Sequence, residues 1–335
     1  MINFRWILRL IIILSVVYSC TRENLPVLTT TQVLEITPIS AAGGGTLIDD
    51  GGKEVSSYGV CWNTSPNPKI TDNKTTDGTV KGTYTSIMTG LLPNTTYYVR
   101  AYARNKAGIG YGEQIQFVTP SDLSGQTENV SDYEGNAYFA IGIGNQIWMK
   151  ENLRSTKLND GTSIPLVIDN SEWANTVSPA YCLYNNNEAE YKTTYGILYN
   201  GYTINTGKLC PVGWHVPTDA EWHLLILYLG GHPGFYSDYI ESMSAGGKMK
   251  ETGTDHWKSP NKGATNESGF TALPSGERGT SGTFYEININ AFWWSSSEDV
   301  KGKTYYRYVN HDDPEVCRGP GFKQAGLSVR CLKDN

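Results

Sequence analysis

Between residues 28 and 120 apolar and polar positions alternate in short runs separated by turn residues. A period of two puts successive side chains on opposite faces, which marks strands rather than helices. In Val55-Ser56-Ser57-Tyr58-Gly59-Val60-Cys61-Trp62, the residues Tyr58, Val60 and Trp62 share one face. Cys61 then points the other way, or the strand is buried on both faces. Tyr97, Val99 and Ala101 share a face toward the core, with Tyr98, Arg100 and Tyr102 opposite. Asn105-Lys106-Ala107-Gly108 then has hairpin-turn chemistry. The pattern predicts an all-β sandwich over 28–120. Residues 121–132 are polar and aperiodic and read as a linker.

From residue 133 the pattern changes. An apolar run from Tyr138 to Ile143 opens a second domain over 133–335, and the alternating run Leu327 to Leu332 closes it. Thr218 to Leu229 is predicted as a helix. Thr218 and Glu221 form a capping box, Pro217 precedes it, Gly230-Gly231 stop it, and Trp222, Leu225 and Leu229 form its apolar stripe. A shorter helix is predicted over Tyr239 to Ala245, ended by Gly246-Gly247. Residues 185–194 and 258–268 read as loops rich in Asn, Gly, Ser and Thr. Trp148, Trp214 and Trp222 are assigned to the core, while Trp257 fits core or surface equally. In Trp293-Trp294, adjacent on a strand, one ring is expected to face inward and the other outward.

The first 19 residues have Arg5 and Arg9, no acid, and a mostly apolar run from Leu10 to Tyr18. That run is shorter than the roughly 20 residues needed to span a bilayer, so it reads as a signal-peptide core. Val17-Tyr18-Ser19-Cys20 resembles a lipobox, which implies residues 1–19 as leader, a diacylated Cys20 as the new N-terminus, and 20–27 as a tether. The alternative is ordinary secretion with Cys20 a leftover thiol. Thr21-Arg22-Glu23-Asn24 resembles the start of Bacteroidetes-type lipoproteins, with an early acid that implies export to the outer surface. Composition agrees with a β-rich, turn-rich chain: 36 Gly, 22 Tyr and 9 Trp against only 18% charged residues. A net charge of −6, and −8 once the two leader arginines are gone, argues against nucleic acid as a partner.

Two resemblances sharpen this reading. Leu91-Leu92-Pro93-Asn94-Thr95-Thr96-Tyr97 resembles the fibronectin type III pattern L-x-P-x-T-x-Y, which implies a spacer domain. In the second domain, five strings resemble the Fibrobacter succinogenes major paralogous domain when taken in order. They are Gly144-Asn145-Gln146-Ile147-Trp148-Met149-Lys150-Glu151-Asn152-Leu153, Lys208-Leu209-Cys210-Pro211-Val212-Gly213-Trp214-His215-Val216-Pro217, Gly263-Ala264-Thr265-Asn266-Glu267-Ser268-Gly269-Phe270, Phe292-Trp293-Trp294-Ser295-Ser296-Ser297-Glu298 and Ser328-Val329-Arg330-Cys331. That family is similar to the C-type-lectin-like and sulfatase-modifying folds. The resemblance implies an α+β lectin-like domain whose first and last strands pair. Cys182, Cys210, Cys317 and Cys331 by themselves allow three pairings. The resemblance implies Cys210 with Cys331, which leaves Cys182 and Cys317 for each other, with Cys61 alone in the first domain.

Candidate chemistry follows from residue types. His215, His223, His232, His256 and His311 show no metalloprotease spacing, and neither a nucleophile elbow nor a phosphate-binding loop is present, which disfavours an enzyme. The acids Asp312, Asp313 and Glu315 read as a solvated turn. Asn185, Asn187 and Glu188, together with Asn266 and Glu267, are oxygen-rich loop residues of the kind that hold calcium. The lectin triplets E-P-N, Q-P-D and W-N-D are absent. Sugar rings stack on aromatic faces while amides and acids bind the hydroxyls, so Asp255, His256, Trp257, Trp293, Trp294 and Glu298 are the candidate ligand contacts. Arg278 and Arg330 read as scaffold cations that need carboxylate partners. Together these imply an outer-membrane lipoprotein, at the cell surface or facing the periplasm, whose binding domain meets a glycan or a surface protein in adhesion. The alternatives are a structural envelope component without a small ligand and an enzyme of the sulfatase-modifying kind, which would need a free Cys331 thiol.

Overall fold

The structure, a computed structural model, describes residues 24–78, 82–231, 237 and 239–334. The leader over 1–19, Cys20 and His232 lie outside the described residues. Eight strands build the first domain: β1 (Val27–Thr30), β2 (Ser40–Asp49), β3 (Ser57–Asn63), β4 (Asn73–Lys74), β5 (Thr83–Thr89), β6 (Thr96–Asn105), β7 (Gly108–Tyr111) and β8 (Ile115–Val118). One sheet has the order β1-β2-β5; the other runs β4-β3-β6-β7, with β8 on the free part of β6. The sheets close on each other as a sandwich. Ala41 and Met88 of the first pack on Val60, Trp62, Tyr97, Val99 and Phe117 of the second. β3 is buried on both faces, because Cys61 is also fully enclosed and its thiol points at the carbonyls of Pro68 and Arg100. Tyr102 is buried too, although alternation put it opposite the core. Its hydroxyl donates to the Thr75 carbonyl at 2.6 Å, in a segment that covers that face. The β6–β7 turn lies where its residues predict, with the Asn105 carboxamide accepting from the Ala107 and Gly108 amides.

The second domain adds β9 (Thr127–Ser131), β10 (Ala137–Ile143), β11 (Gln146–Met149), α1 (Asn170–Asn175), β12 (Tyr181–Cys182), α2 (Glu188–Tyr195), β13 (Leu198–Asn200), α3 (Gly201–Ile204), β14 (Trp214–His215), α4 (Asp219–Tyr228), β15 (Ile240–Ser242) and α5 (Ala245–Met249). It continues with β16 (Ser275–Arg278), β17 (Phe284–Ile287), β18 (Asn290–Glu298), β19 (Thr304–Asn310), β20 (Val316–Gly321), β21 (Gly326–Leu327) and β22 (Leu332–Lys333). One sheet has the order β14-β22-β11-β10-β9 and a longer one runs β12-β13-β21-β16-β18-β19-β20-β15, with β17 beside β16. The last strand pairs with β11 through Trp148 and Leu332, so β11 separates the opening strand from the closing one. α4 has its expected capping box: Thr218 and Glu221 exchange side-chain and backbone hydrogen bonds.

Three expected boundaries are corrected. Residues 127–131 are not linker but the edge strand β9, paired with β10. Its residues are all at least partly exposed, so no apolar alternation betrays it. Residues 239–245 are not a helix: Ile240–Ser242 is a strand against β20, and the helix follows. Gly246 and Gly247 lie inside that helix because a side chain would collide. A Cβ on Gly246 would stand 2.1 Å from the Glu315 carbonyl oxygen, and one on Gly247 2.3 Å from that of Gly263. Residues 185–194 are mostly helix α2, whose N-cap Asn187 accepts from the Glu190 amide.

β18 is covered on both faces. Trp293 enters a core with Trp148, Trp222, Phe270 and the α4 leucines, while Phe292 and Trp294 enter another with Tyr199, Val329 and Cys331. The disulfide joins Cys210 to Cys331, with a Cα separation of 5.9 Å. Cys182 and Cys317 are not paired with each other; both are buried thiols. They sit on β12 and β20, six strand spacings apart in one sheet, on the order of 29 Å at about 4.8 Å per strand. A disulfide tolerates Cα separations of only about 4.4–6.8 Å.

Candidate functional site

The strings that carried the resemblance converge in space. Asn152 stands at the centre: its carboxamide oxygen accepts from the Trp293 indole and from Nε of Arg330, each at 2.9 Å. Its amide group donates to the Tyr195 carbonyl at 2.9 Å and the Ser328 hydroxyl at 3.2 Å. Arg330 is fully buried and directs its terminal nitrogens to the backbone carbonyls of Phe270, Met149 (3.4 Å) and Thr271 (3.0 Å). Its guanidinium carbon lies 4.3 Å from the Phe270 ring centre. Buried polar groups persist only when satisfied, so this arrangement locks five sequence-distant segments together. The indole N–H groups of the other buried tryptophans follow the same rule. Those of Trp173, Trp222, Trp257 and Trp294 donate to the carbonyls of Gln324, Trp294, Ala272 and Tyr199, and Trp148 donates to the Gln146 side chain.

Outside this knot lies a cavity of ≈ 210 Å³ lined by Phe139, Lys150, Glu151, Asn152, Thr194, Thr271, Leu273 and Arg330. It is smaller than the roughly 300–1,000 Å³ of drug-sized sites and suits one small group. Phe139 is 64% exposed, the largest bare aromatic surface at the cavity. Thr271 has φ +54°, costly for a β-branched residue. Asn266 holds it there, accepting from the Thr271 amide at 2.9 Å and donating to its hydroxyl at 3.0 Å. Burial lowers Arg330 to about 9, with the Glu151 charge pulling it back up. Glu151 itself accepts from the Phe139 amide at 2.9 Å. The arrangement offers an aromatic face, hydroxyls and fixed charges of both signs, which is recognition chemistry. A larger cavity of ≈ 440 Å³ lies between Ile39, Ser124, Tyr228 and Gly269, but its Lys248 is already paired with Glu267 at 3.0 Å.

The aromatic platform read from the sequence is overturned. Trp257, Trp293 and Trp294 are each at most 1% exposed and present no ring to solvent. The expectation of one outward ring fails because β18 is packed on both sides. Asp255 is exposed, and His256 is occupied by Glu251 at 2.8 Å. Glu298 is tied to Lys323 and Asn205, each at 2.7 Å, far along β18 from the knot. The calcium candidates likewise serve the backbone: Asn187 caps α2, Glu188 pairs with Lys192 at 2.6 Å, Asn185 begins the preceding turn with φ +49°, and Glu267 is the Lys248 partner. Among the described residues no group of three His, Cys, Asp or Glu side chains is placed to hold a metal.

Arg278 and Arg330 find carbonyls and amides rather than the expected carboxylates. Arg278 donates to Gly282, Val167, Ile168 and the Asn170 side chain. The carboxylate-paired buried arginine is Arg307, held by Asp219 and Glu241, which no sequence pattern singled out. Sequence reading also missed Phe139. It lies in the apolar run read only as the opening of the second domain, where strict alternation sets it opposite Tyr138 and Ala140, both buried. Applying period two to that run would have found it.

Comparison with known proteins adds the following. No curated protein matches the chain. Among solved structures, the sensor domain of the anti-sigma factor RsgI4 in Pseudobacteroides cellulosolvens is 18% identical, covering 29% of this chain and 97% of that one, with a TM-score of 0.24. The third fibronectin III domain of human KIAA0343 is 18% identical, covering 30% and 86%, with a TM-score of 0.22. Residues 141–333 match the Fibrobacter succinogenes major domain, and this match holds the Asn152–Trp293–Arg330 knot and the disulfide. Spanning more than half of the sequence, it makes this chain a member of the Fibrobacter succinogenes major domain family.

Proposed function

We propose that the protein is a binding module of the bacterial envelope, whose second domain contacts a glycan through the cavity at Phe139, Glu151 and Arg330. The carrying observation is that cavity: an exposed aromatic ring beside convergent polar groups, on a scaffold locked by a satisfied buried network. Phe139 supplies the stacking face that the buried tryptophans do not. In this reading the first domain is a fibronectin type III-like spacer and the second a C-type-lectin-like fold. The lipobox at Cys20 anchors the chain in the outer membrane as a lipoprotein. Binding is favoured over catalysis because Cys331, the thiol a sulfatase-modifying activity would use, is consumed in the disulfide. The site needs no calcium, since the oxygen-rich loops spend their side chains on caps and ion pairs.

A glycan array with the whole protein tests this. Wild type should give signals that persist in EDTA and disappear in Phe139→Ala, with unchanged melting temperature. Signals surviving Phe139→Ala would move the site elsewhere. Loss in EDTA would return attention to Asn185, Asn187, Glu188, Asn266 and Glu267. An empty array would favour the structural envelope role.

A further inference from the structure

We infer that this cavity selects a carboxylate-bearing sugar, a uronic acid, over a neutral one. The inference rests on the binding reading above and names its ligand class. A guanidinium has five N–H donors. Arg330 meets four acceptors, namely the Asn152 oxygen and the carbonyls of Phe270, Met149 and Thr271. Among the described residues no acceptor answers the fifth N–H and no carboxylate hydrogen-bonds to the group, although Arg330 lines the cavity. Neutral acceptors repay the desolvation of a fully buried cation only in part, so an anion brought within reach of it is favoured. Arg307 takes two carboxylates, whereas Arg278 and Lys250 are buried, like Arg330, on carbonyl and amide oxygens; of these three, Arg330 lines this cavity.

The walls repeat this imbalance. Lys150 and Arg330 carry positive charge against the single Glu151, so the cavity is net cationic in a chain that is net acidic. Glu151 has its own donor in the Phe139 amide, which holds it at the rim. Thr271 is kept at positive φ by Asn266, which points its carbonyl at Arg330 and fixes the floor before any ligand arrives. A pyranose ring stacked on Phe139 would bring an equatorial carboxylate toward the guanidinium and Lys150. The neutral counterpart offers the same N–H only an uncharged hydroxyl. Charge-assisted hydrogen bonds in a partly desolvated site carry most of such discrimination.

The test titrates the full chain with glucuronate and with glucose at low ionic strength, following backbone amide shifts of Phe139, Glu151 and Thr271 by NMR. Glucuronate should bind at least about tenfold more tightly. Lys150→Met should cut that preference severalfold, and Glu151→Gln should raise glucuronate affinity. Both positions lie at the rim, outside the Asn152 knot, so folding is retained and the amide spectrum verifies it. Arg330→Lys, which can unfold the domain, is read only if its spectrum stays native, where it should abolish the preference. Equal affinity for the two sugars overturns the inference and leaves the binding reading standing. Shifts from neither sugar in the millimolar range overturn both.

Discussion

Asn152 answers two buried N–H groups with one oxygen, and among the described residues no other acceptor hydrogen-bonds to either. Asn152→Leu keeps the volume but orphans the Trp293 indole, Arg330 Nε, the Tyr195 carbonyl and a Ser328 hydroxyl bond. Each buried polar group left unmade costs roughly 1–3 kcal/mol, and a charged one more. Urea unfolding of this variant should therefore show a loss of about 4 kcal/mol or more, while Asn187→Ala at the α2 cap should cost about 1 kcal/mol. A loss below about 1 kcal/mol in Asn152→Leu would mean the network is redundant. Thiol chemistry gives a second test at this scale. Burial pushes Cys61 and Cys182 up to about 12 and Cys317 to about 11, so all three stay protonated and enclosed at neutral pH. Alkylation of the native protein followed by peptide mapping should leave all three unmodified until denaturant is added. Rapid native labelling of Cys182 or Cys317 would contradict their burial.

The N-terminus of α4 is the element most exposed to pH. His215 lies between Glu221, 3.0 Å from Nε2, and Asp334, 2.6 Å from Nδ1. The hydrogen bond to Glu221 comes first, then that to Asp334, and against burial they raise His215 to about 9. A raised histidine contributes its full stability below its unfolded value near 6.5 and loses it as pH rises through about 9. For Glu221 burial acts upward, but the bonds from His215 and Thr218 outweigh it and lower the carboxyl to about 2. Its contribution is full above about 4.5 and lost as pH falls toward 2. Both therefore act together between about pH 4.5 and 6.5. His215 is about a third exposed, so solvent screening keeps the effect modest. His223 is also raised to about 9, with Glu241 and then Glu35 overcoming burial, and it titrates in the same alkaline window. The melting temperature of wild type should fall more steeply between pH 6.5 and 9 than that of His215→Gln. Parallel curves would remove His215 from the account. At this same scale the sequence was most readable where local chemistry decides the element. The α4 capping box and the Asn105–Gly108 turn lie where their residues placed them. The edge strand β9 and the glycine-bearing α5 did not announce themselves, because pairing with β10 and contact with the Glu315 and Gly263 carbonyls come from distant parts of the chain.

Across the whole molecule the same contrast explains why the candidate site was harder to read than the fold. A double tryptophan signals burial on at least one face, and only the tertiary packing of β18 between two cores decides that no face is free. The exposed ring at the cavity, Phe139, was not singled out because it stands in an apolar run whose neighbours are buried. What holds the molecule together is likewise non-local. The hydrophobic clusters of the first domain share no residue with those of the second, so two cooperative units are expected. The Cys210–Cys331 bond lies wholly in the second and closes a separation of 121 residues. Chain-entropy reasoning assigns a loop of that length about 5 kcal/mol, and native-state relaxation commonly reduces the figure. Leu327 to Leu332 are all buried, so the segment that Cys331 anchors threads the core rather than trimming it. Calorimetry should then resolve two transitions. Reduction, or Cys210→Ser, should lower one of them by up to about 10–20 °C, at roughly 2–4 °C per kcal/mol for a domain this size, and leave the other in place. A single transition that moves as a whole on reduction would show that the two domains unfold together, and that the seam between them, not the disulfide, governs stability.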